Sequence, residues 1–480
     1  MPQAHVPYEP TLAEPNPYVP HEPASANSPA ASDEPTFGIA EVRNEISPFS
    51  AINVVVASMI GAGVYTTSGF ALADLGSPLL VLAAWAVGGV LAICGALSYG
   101  GLAQRFTESG GEYLFLSRAI HPSAGYVAGF VSLLAGFTGA IAFAARAFEA
   151  YWLGMMETVG AANPLPDGTI AGMLVLAAWL LHGFRTRAGT RIQDLLVTIK
   201  VGMLAAFLLF AFVSLRQPWQ GLETAVERPD GPVIAAFAVS LMWISLSYSG
   251  FNAAIYITAE VRDGGTTVRR ALLIGTLIVT LIYLLLNAVF VLAPPAAAVL
   301  GKQDIAAEAA GYVGGPVFEK LFRITILLSL ATSVMSLMMT GPRVYAKMAE
   351  DGVLPQWFAP RADGPGRGVF AQAVFALIVI GFASLRQLLS YLGLTLSLSA
   401  ALTVAVLFVL HRRGETIHVP GYPWPPLIFV IGTLIIAGVA GSQRPVELAV
   451  TAGTLAVGLI AYWLHLALGD KKRPTAQRVP

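Results

Sequence analysis

Charge is scarce in this chain: 28 basic and 28 acidic residues make up only 12 % of 480. Water-soluble domains carry about 25 %, so most of this exterior must face lipid rather than water. The two signs cancel to a net charge of zero, which leaves no basic excess to attract a nucleic acid. Cysteine is nearly missing. The single one, Cys94, excludes an intramolecular disulfide framework and a thiolate metal cluster. No His-Glu-x-x-His occurs, and Gly110-Gly111 lacks the Lys-Ser/Thr that follows a phosphate-cradling loop. The histidines His121, His182, His411, His418 and His465 fall near helix ends rather than in a cluster. No enzyme, cofactor or metal is expected.

Apolar residues make up 56 % of the chain and glycine contributes 48. A helix needs about 20 mostly apolar residues to cross a bilayer. That rule predicts an all-α membrane protein with twelve spans, at 48–74, 78–105, 125–153, 168–184, 194–215, 233–261, 270–292, 320–343, 369–385, 388–410, 425–440 and 446–468. Basic residues concentrate in alternate loops: Arg105 and Arg118; Arg185, Arg187 and Arg191; Arg262, Arg269 and Arg270; Arg343, Lys347, Arg361 and Arg367; Arg412 and Arg413. The positive-inside rule places these loops and both termini in the cytoplasm, in the cell membrane. Residues 1–45 are rich in proline and acids and poor in aliphatics, so a disordered cytoplasmic tail is expected. They show no basic-then-apolar order of a cleaved signal peptide. Residues 46–468 are expected to form one membrane domain, and 469–480 a basic cytoplasmic tail.

Two helices are interrupted. The first contains Ser58-Met59-Ile60-Gly61-Ala62-Gly63-Val64-Tyr65, and glycine costs about 1 kcal/mol in a helix interior. Close helix packing is one reading of such small residues. The sixth contains Leu246-Ser247-Tyr248-Ser249-Gly250-Phe251-Asn252. Breaks at matching positions of two five-helix groups (about 46–216 and 232–411) point to a transporter site. Because five is odd, the second group is inverted relative to the first. Freed N–H groups at a half-helix start suit a carboxylate, and freed carbonyls at a half-helix end suit an ammonium. Together they suit a zwitterion.

Further stretches are Glu108-Ser109-Gly110-Gly111-Glu112-Tyr113, the run Gly341-Pro342-Arg343 to Leu354-Pro355, and Pro420-Gly421-Tyr422-Pro423-Trp424-Pro425-Pro426. With the two breaks, they make the chain resemble the amino acid–polyamine–organocation superfamily from about Ile46 to Leu468. The sixth-helix wording is closest to the L-type amino acid transporter branch. The resemblance implies a five-plus-five inverted repeat in which helices 1, 2, 6 and 7 rock against the others. It implies that a substrate carboxylate meets Gly61, Ala62 and Gly63. The amino group would meet Ser247, Tyr248, Ser249 and Gly250, with Asn252 nearby. It also implies a gating role for Glu260 at the inner end of helix six. Leu246 stands where several relatives have an aromatic lid, leaving Trp243 or Tyr248 as candidates. Met335 replaces a small or Asn residue of relatives.

Lys200 lies about two turns into helix five, where a lysine costs about 2.5–3.5 kcal/mol to insert. A snorkelling lysine is the plain reading. The resemblance favours an ammonium in place of the sodium ion of sodium-coupled cousins, surrounded by carbonyls near Ala57 and the hydroxyls of Thr332 and Ser333. Arg146 and Glu149 are spaced to pair locally. Glu108 and Glu112 are expected in a solvated inner loop. The expected function is sodium-independent amino acid transport, by proton symport or exchange. An amine or polyamine carrier is the second reading, though the breaks contain no acid. A non-transporting sensor or complex subunit is the third.

Overall fold

The computed structural model describes residues 46–108, 110–158, 160, 165–183, 189–214, 219–222, 230–352, 354–358 and 366–469. The expectations for 1–45, for the basic tail from 470 and for loop residues such as Arg185 and Arg187 fall outside these. Among the described residues, nine helices are long and apolar enough to cross a membrane. They are Pro48–Leu75, Pro78–Arg105, Pro122–Glu157, Val233–Glu260, Gly264–Leu292, Ile305–Glu350, Leu385–Arg412, Trp424–Gln443 and Pro445–Ala467. Three shorter apolar helices, Thr169–Leu181, Val197–Val213 and Arg367–Phe382, complete a series of twelve. Each overlaps one of the twelve segments read from the sequence, so they are called spans 1 to 12.

Local chemistry sets the boundaries. Proline at the first helical position follows Ser47, Ser77 and His121, each of which caps the helix with its side chain. Ser384 and Gln387 form a reciprocal capping box at the start of span 10. Span 1 ends at Gly76, whose φ of 63° gives the left-handed cap. Span 8 departs most from expectation, because its helix begins at Ile305 and bends at Gly315, next to Pro316. Glu308 and Glu319 interrupt the apolar run there, so hydropathy begins the span only at 320.

The packing repeats with a shift of five. Span 1 packs on span 7, and span 6 on span 2. Span 1 packs on span 5, and span 6 on span 10. Span 3 packs on span 4, and span 8 on span 9; span 3 meets span 10, and span 8 meets span 5. Spans 2 and 7 are each other's counterparts and pack most extensively. Glycines permit that approach: a β-carbon on Gly89 would lie 2.6 Å from Thr280, and one on Gly100 would lie 2.7 Å from Arg269. This self-consistent exchange of neighbours is the five-plus-five repeat, with spans 11 and 12 added.

Both ends of the broken helices are tied down. At one end, Arg386 donates to Asp74 at 2.6 Å, and Arg444 lies 3.7 Å from the same carboxylate. Near the same end, the Gly301 N–H donates to the Gly69 carbonyl at 2.8 Å, laying the link between spans 7 and 8 on span 1. At the other end, Ile46 and Val261 form a parallel bridge: Ile46 N donates to Glu260 O and Arg262 N to Ile46 O, each at 3.1 Å.

Candidate functional site

Span 1 is two half-helices, Pro48–Met59 and Ala62–Leu75, joined through Ile60 and Gly61. Gly61 occupies the N-cap of the second half, and no side chain caps that turn. The opening N–H groups of Ala62, Gly63 and Val64 therefore have no intrahelical acceptor, and all three residues are buried. Span 6 stops at Tyr248, turns through residues 249–252 and resumes as a 3-10 helix, Ala253–Glu260. The turn is partly self-satisfied: Ser249 N donates to Leu246 O at 3.0 Å and Ala253 N to Gly250 O at 2.9 Å.

The two breaks touch. Gly250 has φ of 102°, and a β-carbon there would lie 2.7 Å from the carbonyl oxygen of Ser58. Only glycine meets both demands. A β-carbon on Gly63 would lie 2.3 Å from Ser247 Oγ and 2.8 Å from Ser247 Cα. The Ser247 hydroxyl is also hydrogen-bonded to that of Thr67 at 3.1 Å. Thus Gly61, Ala62, Gly63, Ser247, Tyr248, Ser249 and Gly250 lie on the two adjoining breaks. The Tyr248 hydroxyl donates to Trp85 O at 3.1 Å in span 2.

Three carbonyls at the breaks accept from side chains of other spans. Lys200 Nζ donates to Ile60 O, which brings the buried ammonium of span 5 to the break in span 1. The partner is Ile60 rather than a carbonyl near Ala57. The hydroxyls of Thr332 and Ser333 donate to Ser329 O of their own helix, at 2.8 and 2.9 Å. A β-hydroxyl reaches back one helical turn more easily than across to a neighbour. The other two carbonyls, Met59 O and Ser247 O, both accept from the Tyr283 hydroxyl of span 7, at 2.5 and 3.0 Å. Tyr283 has no sequence signal beyond a polar residue in an apolar run.

Trp243 is fully buried three residues before Leu246, and its indole N–H donates to Ser390 Oγ at 2.8 Å. The Arg386 cation lies 5.0 Å and the Arg444 cation 5.6 Å from its ring centroid, and Phe70 meets it edge-on at 6.1 Å. Leu246 packs into the core, and Trp243 is packed among Phe70, Arg386 and Arg444. Its bracing by two arginines lies beyond sequence reasoning, since Arg386 and Arg444 read as ordinary loop charges.

Asn252 turns away from span 1. Its amide Nδ2 donates to Glu112 Oε1 at 3.2 Å. Glu112 itself corrects the sequence reading, for it is only 5 % exposed rather than solvated. It belongs to a short helix, Gly111–Ala119, between spans 2 and 3, and also accepts from Tyr99 and from Ser399 Oγ at 2.9 Å. The carboxyl so joins spans 2, 6 and 10 beside the break in span 6. Burial pushes it above the usual carboxylate range, opposed by the donors Tyr99, Ser399 and Asn252. A carboxyl that holds its proton more tightly when folded contributes stability at low pH, lost as pH rises through the folded value. Melting temperature is therefore expected to decline as pH rises above the range in which an ordinary carboxyl titrates. Glu112→Gln, which mimics the protonated form, is expected to flatten that decline; parallel curves for variant and wild type would remove Glu112 as its cause. Glu260 contributes its backbone carbonyl to the bridge with Ile46. Arg146 pairs with Glu149 at 3.0 Å as the spacing predicts, and Glu149 also accepts from Gly168 N and Ile170 N, a structural anchor for span 4.

No group of three or more His, Cys, Asp or Glu fit to hold a metal occurs among the described residues. This geometry suits a carrier: uncapped N–H donors at one break, carbonyls at both, and ties at both ends of span 1. Comparison with known proteins gives the same class. The mouse large neutral amino acids transporter small subunit 2 is 24 % identical over 459 residues, covering 92 % of this chain and 85 % of its own. The serine/threonine exchanger SteT of Bacillus subtilis is 24 % identical over 413 residues, covering 83 % of this chain and 91 % of its own. The human b(0,+)-type amino acid transporter 1 is 24 % identical over 399 residues, covering 82 % and 81 %. A family model described as amino acid permease matches residues 46–465. With twelve spans, two broken helices and a match over nearly all the described residues, this chain belongs to the amino acid permease family.

Proposed function

We propose that the chain is a sodium-independent carrier of neutral amino acids in the cell membrane, with both termini in the cytoplasm. The observation that carries this reading is the uncapped start of the second half of span 1, buried against the break in span 6. There the N–H groups of Ala62 and Gly63 would take the substrate carboxylate. The carbonyls at the ends of the first half-helices would take its ammonium. Alternating access would proceed by opening the Asp74–Arg386 tie on one side and the Ile46–Val261 bridge on the other. Protons are the candidate coupling ion, with Glu112 as the buried group able to carry them.

A neutral side chain is favoured because Lys200, the charged residue at the breaks, is already committed to Ile60 O. A polyamine would need an acid at that place. Glu112 is instead engaged by three donors of the protein. Uptake of radiolabelled leucine and serine by purified protein in liposomes, with competition by other amino acids and by putrescine, tests the proposal. Neutral amino acids should compete and putrescine should not. Putrescine uptake, or no uptake of either amino acid, would overturn it.

A further inference from the structure

A membrane carrier that returns without cargo must close both ends over its own freed backbone groups. At mid-membrane these groups have no water to bond, so they oppose closure unless the protein supplies a partner. Tyr283 is such a partner for the carbonyls on which an ammonium would bind. Its one hydroxyl proton is shared between Met59 O, the last residue of the first half of span 1, and Ser247 O, in the last turn of the first half of span 6. One neutral donor thereby lies between both broken helices, in a structure that also holds the Asp74–Arg386 tie and the Ile46–Val261 bridge.

The arrangement is rigid. The Tyr283 ring meets Trp85 edge-on at 5.2 Å and Tyr248 at 5.1 Å. Its own carbonyl accepts from Asn287 Nδ2 at 2.8 Å, and Asn287 Oδ1 accepts from Ser68 Oγ at 2.5 Å. Ser68 in turn accepts from the Trp85 indole at 2.8 Å. Spans 1, 2, 6 and 7, the four moving helices implied by the resemblance, are thus joined around one hydroxyl. Ile60 O, a further carbonyl of the first break, is served by Lys200. A carbonyl oxygen has two lone pairs, so an arriving ammonium can share these acceptors with Tyr283. It brings three donors where the phenol has one, and so still gains by binding.

We propose that Tyr283 stands in for the substrate's ammonium and so lets the carrier cross without cargo. On that basis the permease performs net transport of amino acid, not only one-for-one exchange. This rests on the zwitterion site proposed above. It also differs from the mode for which the Bacillus subtilis relative, an exchanger, is named.

The test compares two rates in the same proteoliposomes, with labelled leucine or serine outside. One is uptake into vesicles containing no amino acid; the other is uptake into vesicles loaded with the same amino acid. Wild type should show net uptake at no less than about a tenth of its exchange rate, the factor that ~1.4 kcal/mol would produce. Tyr283→Phe keeps the ring and its packing and removes only the hydroxyl. It should lower the ratio of net uptake to exchange about tenfold or more, since exchange never requires the cargo-free crossing. Exchange in the variant is also the check that it is folded. Equal losses in both rates, or no loss in either, would overturn the proposal. So would a wild type that exchanges but shows no net uptake, whatever the variant does. Absence of both rates in wild type would instead overturn the amino acid reading itself, and this inference with it.

Discussion

Gly63→Leu is expected to abolish amino acid binding, and Gly63→Ala to weaken it by about 10- to 100-fold. A β-carbon at this position would overlap Ser247 Oγ and approach Ser247 Cα to 2.8 Å, so a backbone atom stands in the way and rotamer change alone gives no relief. Forcing extra carbon into such a contact costs about 1–3 kcal/mol, and here the strain would separate the two breaks. Gly61→Ala is the contrasting control. The nearest atom to its added carbon is Met59 O at 3.9 Å, and its φ of −128° suits any residue. Its melting temperature should stay within about 1 °C of wild type, while its affinity falls because the methyl shields the N–H groups beside it. Calorimetry on the purified variants reads both effects. Wild-type affinity in both would move the substrate away from span 1.

Lys200→Ala should slow turnover about tenfold while changing substrate affinity less than about threefold. The ammonium binds Ile60 O, between the two halves of span 1, and an unpaired buried carbonyl costs about 1–3 kcal/mol. That cost falls on whichever form brings spans 1 and 5 together, so it alters the conformational equilibrium more than contact with the substrate. Replacing sodium by choline should leave wild-type uptake unchanged, because a fixed positive charge at this place repels a second cation. Steep sodium dependence, or Lys200→Ala turning over like wild type, would reduce Lys200 to a residue that caps one carbonyl. Lys200→Arg adds a further check. The guanidinium is larger and planar, and a site fitted to one compact ammonium should not accept it.

The twelve spans were legible because their signals are local. A run of about 20 apolar residues suffices for a span, and Ser-Pro pairs at 47–48 and 77–78 mark the helix starts within a few residues. The breaks were legible for the same reason: Gly61 and Gly63, or Ser249 and Gly250, weaken a helix where they stand. Lys200 stood out through its insertion cost, although its carbonyl partner was placed one turn too early. What surrounds the breaks was not legible. Asp74 and Arg386 are 312 residues apart, Tyr283 and Met59 are 224 apart, and Asn252 and Glu112 are 140 apart. Such pairs have no period and no motif, because they meet only when the inverted second repeat folds against the first. Glu112 follows two glycines in a loop and reads as solvated; it is buried because spans 2, 6 and 10 close over it. By itself the sequence determined where the chain crosses the membrane and where its helices break, since hydropathy and backbone propensity act within a few residues. Only the tertiary structure decided which side chains serve the freed carbonyls, since that depends on helices brought together across the whole chain.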